Sequence, residues 1–331
     1  MNKTLANITA AASYLPAKVV SNAELEKTID TSDEWIKSRT GITERRFVEK
    51  GESTSTMATE AVKKLLKIKD INPDEIDAII IATVTPDMMF PSTAAIVQNN
   101  INATNSWGYD VSAACSGFLF ALETASCMIS SGKYKKIIVV GADTMSSILN
   151  FNDRTTSVLF GDGAGAVLVE PSIEYGIIDS LLRIDGSGGR FLHMPGGGSL
   201  NGTSHKTIDK NMHYVHQDGK IVFKHAVRGM ADVTEELANR NNLSKENIKL
   251  YVPHQANKKI IDAAAKRIGL NDEQVIINID KYANTTAGTI PICISEIYSN
   301  NSVNLGDNII LASFGAGFTW GAIYLRWGAI K

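Results

Sequence analysis

Only three cysteines occur in 331 residues, at the widely spaced positions 115, 127 and 293. An odd number at that spacing builds neither a disulfide framework nor a thiolate metal site. Long apolar runs are missing as well. AIIIATV and IIVVGA are among the longest, far short of the roughly 20 residues that cross a bilayer. The opening MNKTLANITAAASYLP lacks an adequate apolar core for a signal peptide, so the chain reads as cytoplasmic with no membrane partner. Net charge is almost absent too: 33 Lys and Arg stand against 35 Asp and Glu. That balance gives no global attraction to nucleic acid and leaves any electrostatic partner to a local patch. His205, His213 and His216 have no cysteine or carboxylate set at ligand spacing beside them, so they read as loop residues and no metal site is expected.

With 44% hydrophobic and 21% charged residues, the chain can bury a large core and divides on length into about two domains. Its halves resemble each other at an offset of roughly 170 residues, the self-similarity that marks a duplicated unit. INPDEIDAIIIATVTP is matched by NLSKENIKLYVPHQ, and DVSAACSGFLFALETASCMI by NIDKYANTTAGTIPICISEI. GKYKKIIVVGAD is matched by GDNIILASFG, GDGAGAVLVE by FGAGFTWGAIYLRW, and the opening ANITAAASYLP by YGIIDSLLRI. Alternating strands and helices, with strands apolar enough to be buried on both faces, predict an α/β protein of two pseudo-symmetric layered halves. The junction falls near Pro171 to Gly176, giving residues 1–172 and 173–331. Two segments interrupt the repeat: residues 21–57, where TSDEWIKSRTG predicts a short helix stopped by Gly41, and the Gly-rich, polar residues 186–219.

Cys115 sits where the strand-like SWGYDVSA turns into a helical run. A thiol at a helix N-terminus faces positive partial charge and unpaired N–H groups, which favour thiolate. His254 follows the strand KLYV, and the repeat makes Asn284 the counterpart of Cys115. All three then face one crevice at the carboxyl ends of strands. A neutral His before a helix can donate an N–H to a developing oxyanion, and the Asn side chain is no base. A nucleophile with two donors suits a thioester carbonyl that becomes an enolate.

VSAACSGF, PHQAN, YANTT and SFGAGFTWG, with TSDEWIKSRTGI near the start, closely resemble the β-ketoacyl-acyl carrier protein synthase III family of thiolase-fold condensing enzymes, in order over essentially the whole chain. The resemblance implies a thiolase-like αβαβα fold and a ping-pong acyltransferase. Cys115 would take an acyl group from acyl-CoA and then be attacked by the carbanion of decarboxylated malonyl-acyl carrier protein, initiating fatty acid biosynthesis without a permanently bound cofactor. His254 and Asn284 would stabilise the enolate, and the N–H groups of Cys115 and Ala316 would form the oxyanion hole. Trp35, Arg39 and Arg154 would hold the adenine and phosphate end of CoA. Thr31, Gly219, Phe223, Ala256 and Asn257 would line the pantetheine tunnel. Phe90 would reach across a homodimer interface into the partner's acyl pocket, and Lys224, Arg228 and Lys259 would receive the acidic carrier protein. Lys259 stands where Arg is common in the family, and Ala316 lies in a stretch that is often three glycines.

Three further readings follow from the residues. Cys127 and Cys293 are expected in the core. GDGAGAVLVE leads into a strand, not a helix, so it is a tight turn and no dinucleotide site. A degradative thiolase would need a second cysteine near SFGAGFTWG, and that segment has none. A papain-like hydrolase shares the order Cys, His, Asn but not the doubled layout. A paralogue of secondary metabolism, using a longer or branched primer on the same three residues, stays open.

Overall fold

Apolar, β-branched runs bounded by turn residues become strands, and in the computed structural model, which describes residues 4–329, they form two sheets of the same design. The first contains β1 (Leu5–Tyr14), β2 (Ala78–Ala82), β3 (Trp107–Val111), β4 (Ile137–Asp143) and β5 (Gly163–Ser172), in the order β1-β5-β4-β2-β3. The second contains β6 (Gly176–Ile184), β7 (Ile248–Pro253), β8 (Asn308–Gly315) and β9 (Thr319–Arg326), in the order β7-β8-β9-β6. In each, the first strand and its neighbour are antiparallel, and the inner pair β2/β4 or β7/β8 is parallel. Thus β6, β7, β8 and β9 repeat β1, β2, β4 and β5.

The repeat breaks at one place. The strand expected in NIDKYAN is absent, and a single parallel bridge between Tyr251 and Val275 is what corresponds to β3. Ile279–Tyr282 forms a short helix instead. The cause is local: Gln255 Oε1 accepts from Asn278 N and Ile279 N, so those amides are unavailable to a ladder.

Among the described residues, seven longer helices complete the layers: α1 (Asp33–Thr40), α2 (Thr54–Lys69), α3 (Thr93–Asn100), α4 (Gly117–Ser130), α5 (Gly219–Arg240), α6 (Lys258–Arg267) and α7 (Thr289–Asn300). Between the sheets lie α4 and α7, each touching strands of both, while α2 and α3 cover the first sheet and α5 the second, with α6 beside it. This is the αβαβα arrangement. The central layer is apolar because it meets sheet on two sides: Phe118, Leu119, Leu122 and Ile129 of α4 are fully buried, each contributing roughly 1.5–3 kcal/mol by burial. Cys127 falls off that stripe and is exposed, contrary to the expectation of a core residue, whereas Cys293 on α7 is buried. No described helix is long and apolar enough to cross a membrane.

GDGAGA is not a tight turn. Gly163 and Gly165 lie on one face of β5, where a Cβ at Gly165 would fall 2.6 Å from Ile292 N and one at Gly161, just before the strand, 2.5 Å from Tyr282 O. A Cβ at Gly141 of β4 would likewise collide with Ala287 O. The absent side chains let the main chain of residues 282–292 rest directly on the first sheet. Asn284 is pinned there by two backbone hydrogen bonds, its N–H donating to Leu159 O at 3.0 Å and its C=O accepting from Gly161 N at 3.1 Å.

Candidate active site

Cys115 occupies a 3₁₀ turn, Ala114–Ser116, that leads into α4, with Ala114 at φ 48°. The same backbone recurs at Thr286–Gly288 before α7, with Thr286 at φ 53°. The structural counterpart of Cys115 is therefore Ala287, and Asn284 lies three residues earlier. The strand-end reading placed Asn284 near Cys115 but at the wrong repeat position, because the hydrophobic pattern does not locate the turn.

The turn at β8–β9 clasps Cys115. Ser313 Oγ donates to Cys115 O (2.8 Å), Thr319 Oγ1 to Ala113 O (2.9 Å), and Ser116 Oγ to Thr319 O (3.0 Å). Gly315 passes so close that a Cβ would lie 2.8 Å from Cys115 N. Ala316 is the next residue, half-buried, its C=O accepting from Thr319 Oγ1. Burial, and after it the Asp143 carboxylate, push the Cys115 thiol up to about 12, against a smaller lowering by a backbone hydrogen bond. Resting Cys115 is thus a thiol, and desolvation outweighs the helix-end effect expected from sequence.

His254 follows β7 and is 1% exposed, its N–H donating to Ala312 O at 2.7 Å. Burial alone lowers it to about 3, so it is neutral, as expected, though by desolvation and not by a helix end. Its Nδ1 lies 2.7 Å from Thr289 Oγ1, which also lies 3.2 Å from Thr286 O. With the Thr289 hydroxyl donating to Nδ1, the ring hydrogen sits on Nε2 and that nitrogen is the N–H donor. Asn284 is oriented by the same logic. Its Oδ1 accepts from Thr286 N at 2.9 Å, so Nδ2 is the end left to donate.

Cys115, His254 and Asn284 line one cavity of about 510 Å³. Of the residues expected around it, Trp35, Arg39, Gly219, Phe223, Ala256, Asn257 and Lys259 do line it. Asn257 has structural work as well, since its Nδ2 donates to Arg39 O at the end of α1 and its Oδ1 caps α6. Gly41, at φ 82°, ends α1 where a Cβ would lie 2.6 Å from Lys258 Cβ. Thr31 and Arg154 do not line the cavity. Thr31 Oγ1 is buried without a hydrogen-bond partner. Arg154 reaches the site indirectly: its guanidinium stands 5.6 Å over the Trp35 ring, whose other cationic neighbour, Arg39, is at 5.8 Å.

Sequence reasoning missed Lys220, Phe314 and the pair Leu192 and Gln217. The last two belong to a two-residue ribbon, Leu192–His193 against His216–Gln217, so the irregular segment 186–219 builds part of the wall. Nothing in its composition marks those positions. Phe90 is 84% exposed beside exposed Met88 and Met89 and lies outside its own chain's cavity. Lys224 and Arg228 are exposed on α5, but Arg228 is paired with Asp232 at 3.3 Å, and Asp232 also binds Arg267.

Two family models match, 3-oxoacyl-(acyl-carrier-protein) synthase III over residues 109–186 and its C-terminal part over residues 238–327. A protein of Chlorobaculum tepidum named beta-ketoacyl-(acyl-carrier-protein) synthase III is 55% identical over 97% of this chain and 99% of its own. The crystal structure of 3-oxoacyl-(acyl-carrier-protein) synthase III from Aquifex aeolicus superposes with a TM-score of 0.91 at 41% identity, covering 97% of this chain and 100% of the other. The priming β-ketosynthase of the R1128 polyketide pathway superposes at 0.90 with 31% identity, over 98% and 96%. With the identity, the coverage and the duplicated fold all in agreement, the chain belongs to the 3-oxoacyl-(acyl-carrier-protein) synthase III family.

Proposed function

We propose that the protein is a β-ketoacyl-acyl carrier protein synthase III that condenses an acyl-CoA primer with malonyl-acyl carrier protein to begin fatty acid synthesis. The observation that carries the reading is the convergence of Cys115, His254 and Asn284 on one cavity beneath Trp35 and Arg39. Cys115 Sγ attacks the thioester carbonyl, its proton leaves with the CoA thiolate as CoA-SH, and the acyl group stays on sulfur. The N–H groups of Cys115 and Ala316 receive the transient oxyanion. Malonyl-acyl carrier protein then loses CO₂, and the enolate oxygen is held by His254 Nε2–H and Asn284 Nδ2–H. The carbanion attacks the acyl-Cys115 carbonyl, the C–S bond breaks, and the released thiolate takes up one proton. These steps need no resident cofactor.

The finer assignments belong to the same reading. Residues 1–172 supply the nucleophile, and residues 173–331 supply His254 and Asn284. Trp35, Arg39 and Arg154 grip the adenine and phosphate end of CoA by stacking and charge, with Thr31, Gly219, Phe223, Ala256 and Asn257 along the pantetheine. Lys224 and Lys259 receive the carrier protein, with Lys220 added at the cavity, whereas Arg228 is weakened by its pairing with Asp232. The assembly is a cytoplasmic homodimer whose exposed Phe90 enters the partner's acyl pocket.

The test is intact-protein mass after incubation with acyl-CoAs of increasing length and branching, alongside Cys115→Ser. One acyl adduct that vanishes in the variant supports the reading, and its preferred chain separates fatty-acid initiation from a specialised pathway. Absence of an adduct with every primer would overturn it.

A further inference from the structure

Asp143, the last residue of β4, is fully buried and belongs to none of the groups that meet substrate. Its Oδ1 accepts four hydrogen bonds from one turn: Thr83 Oγ1 (3.0 Å), Val84 N (2.8 Å), Thr85 N (3.2 Å) and Thr85 Oγ1 (2.8 Å). Its Oδ2 accepts from Ala287 N at 3.1 Å, across the junction between the two halves. Ala287 is the backbone counterpart of Cys115 and lies in the turn whose Thr286 N–H fixes the Asn284 amide. The Thr83–Thr85 turn is the root of the segment that presents Phe90, and it is further tied by Thr54 Oγ1 to Thr85 O at 2.6 Å and by Thr144 N to Thr85 Oγ1 at 2.8 Å.

We infer that Asp143 is a positioning residue: its two carboxylate oxygens bind the Thr83–Thr85 turn to the Ala287 amide and so set the Asn284 turn against Cys115. The inference rests on the proposed condensation. One oxygen is saturated by the 83–85 turn, so the other is committed to Ala287. No neutral side chain of this shape can serve both, because an amide with its oxygen toward the four donors must turn an N–H₂ toward the Ala287 N–H. Around the carboxylate lie the hydroxyls of Thr83 and Thr85 and the named backbone amides. Burial lifts Asp143 to about 6 against those hydrogen bonds, so it is ionised at neutral pH and both oxygens are acceptors there.

Asp143→Asn tests the tie, with acylation of Cys115 by an acyl-CoA followed by intact-protein mass and condensation followed with malonyl-acyl carrier protein. In Asp143→Asn the amide turns an N–H₂ toward the Ala287 N–H, so condensation should drop by about a hundred-fold through the displaced turn while acylation of Cys115 persists. A purely structural residue would lose both steps together. Condensation within twofold of wild type, or an equal loss of acylation, overturns the inference. Should Asp143→Asn fail to fold, Thr83→Val removes one donor to Oδ1; condensation should then fall more than acylation, and an unchanged ratio refutes the inference. If wild type condenses no primer, the proposed function falls, whereas amide hydrogen exchange at Ala287, slow in wild type and faster in Asp143→Asn, still tests the tie.

Discussion

Neutrality of His254 is the property on which its donor role depends, and it can be measured directly. Its group falls from 6.5 to about 3 through burial, so at pH 7 the imidazolium fraction is about one in ten thousand. Stability must follow. The unfolded chain binds a proton near pH 6.5 that the folded chain refuses until about pH 3, so this contribution is intact above 6.5 and lost as pH falls toward 3. Each unit below 6.5 removes about 1.4 kcal/mol, which makes about 2 kcal/mol between pH 7.5 and 5.0. Nitrogen-15 spectra of labelled histidine, with His254→Gln to assign the signal among six, should show a neutral ring with hydrogen on Nε2 across pH 5–8. Urea unfolding at the two pH values should cost wild type about 2 kcal/mol more than His254→Gln. Thr289→Val removes the hydroxyl 2.7 Å from His254 Nδ1. Condensation should fall by about a hundred-fold, the effect of losing one oxyanion donor, while acylation of Cys115 persists and Thr289→Ser stays near wild type. A midpoint near 6.5, or hydrogen on Nδ1 in the wild-type ring, would refute this account.

Gly165→Ala places a methyl 2.6 Å from Ile292 N, so α7 must move. Thermal unfolding should register about 1–3 kcal/mol of destabilisation, with condensation reduced more than acylation; unchanged kinetics would mean that the contact does not set Asn284. Trp35→Ala removes the ring flanked by Arg39 and Arg154. KM for acyl-CoA should rise about tenfold with kcat for a saturating primer little changed, and an equal loss in kcat would place Trp35 elsewhere in the mechanism. Lys224→Glu should raise KM for the carrier protein more than for acyl-CoA. Arg228→Ala should do less, because Asp232 already holds that charge; the reverse order would redraw the docking patch.

The convergence of Cys115, His254 and Asn284 was legible in the order of short motifs, because they sit beside turns whose residue types leave few conformations open. The layers were legible too, since β2, β4, β7 and β8 are buried apolar runs repeated at fixed spacing. Smaller features depended on geometry that no pattern carries. Cys127 is two residues past Ala125 on a stripe defined by Phe118, Leu122, Ala125 and Ile129, so it turns outward even though its helix is central. The missing edge strand hinges on one side chain, Gln255, claiming two amides 23 and 24 residues away. Leu192 and Gln217 meet the cavity because of the path a loop takes, and Cys115 is a thiol because its surroundings are dry, which local helix position does not reveal.

The glycine face of β4 and β5 gives the molecule a datum surface. The strip carrying Asn284 is seated main chain to main chain on the sheet that leads to Cys115. Such seating has no rotamers to relax and no volume to trade. Cavity-wall side chains such as Val158, Phe160 and Phe314 can therefore change while the main-chain offset between Cys115 and the Asn284 amide stays constant, so that wall shape and the spacing of the polar groups are separable parts of one sequence.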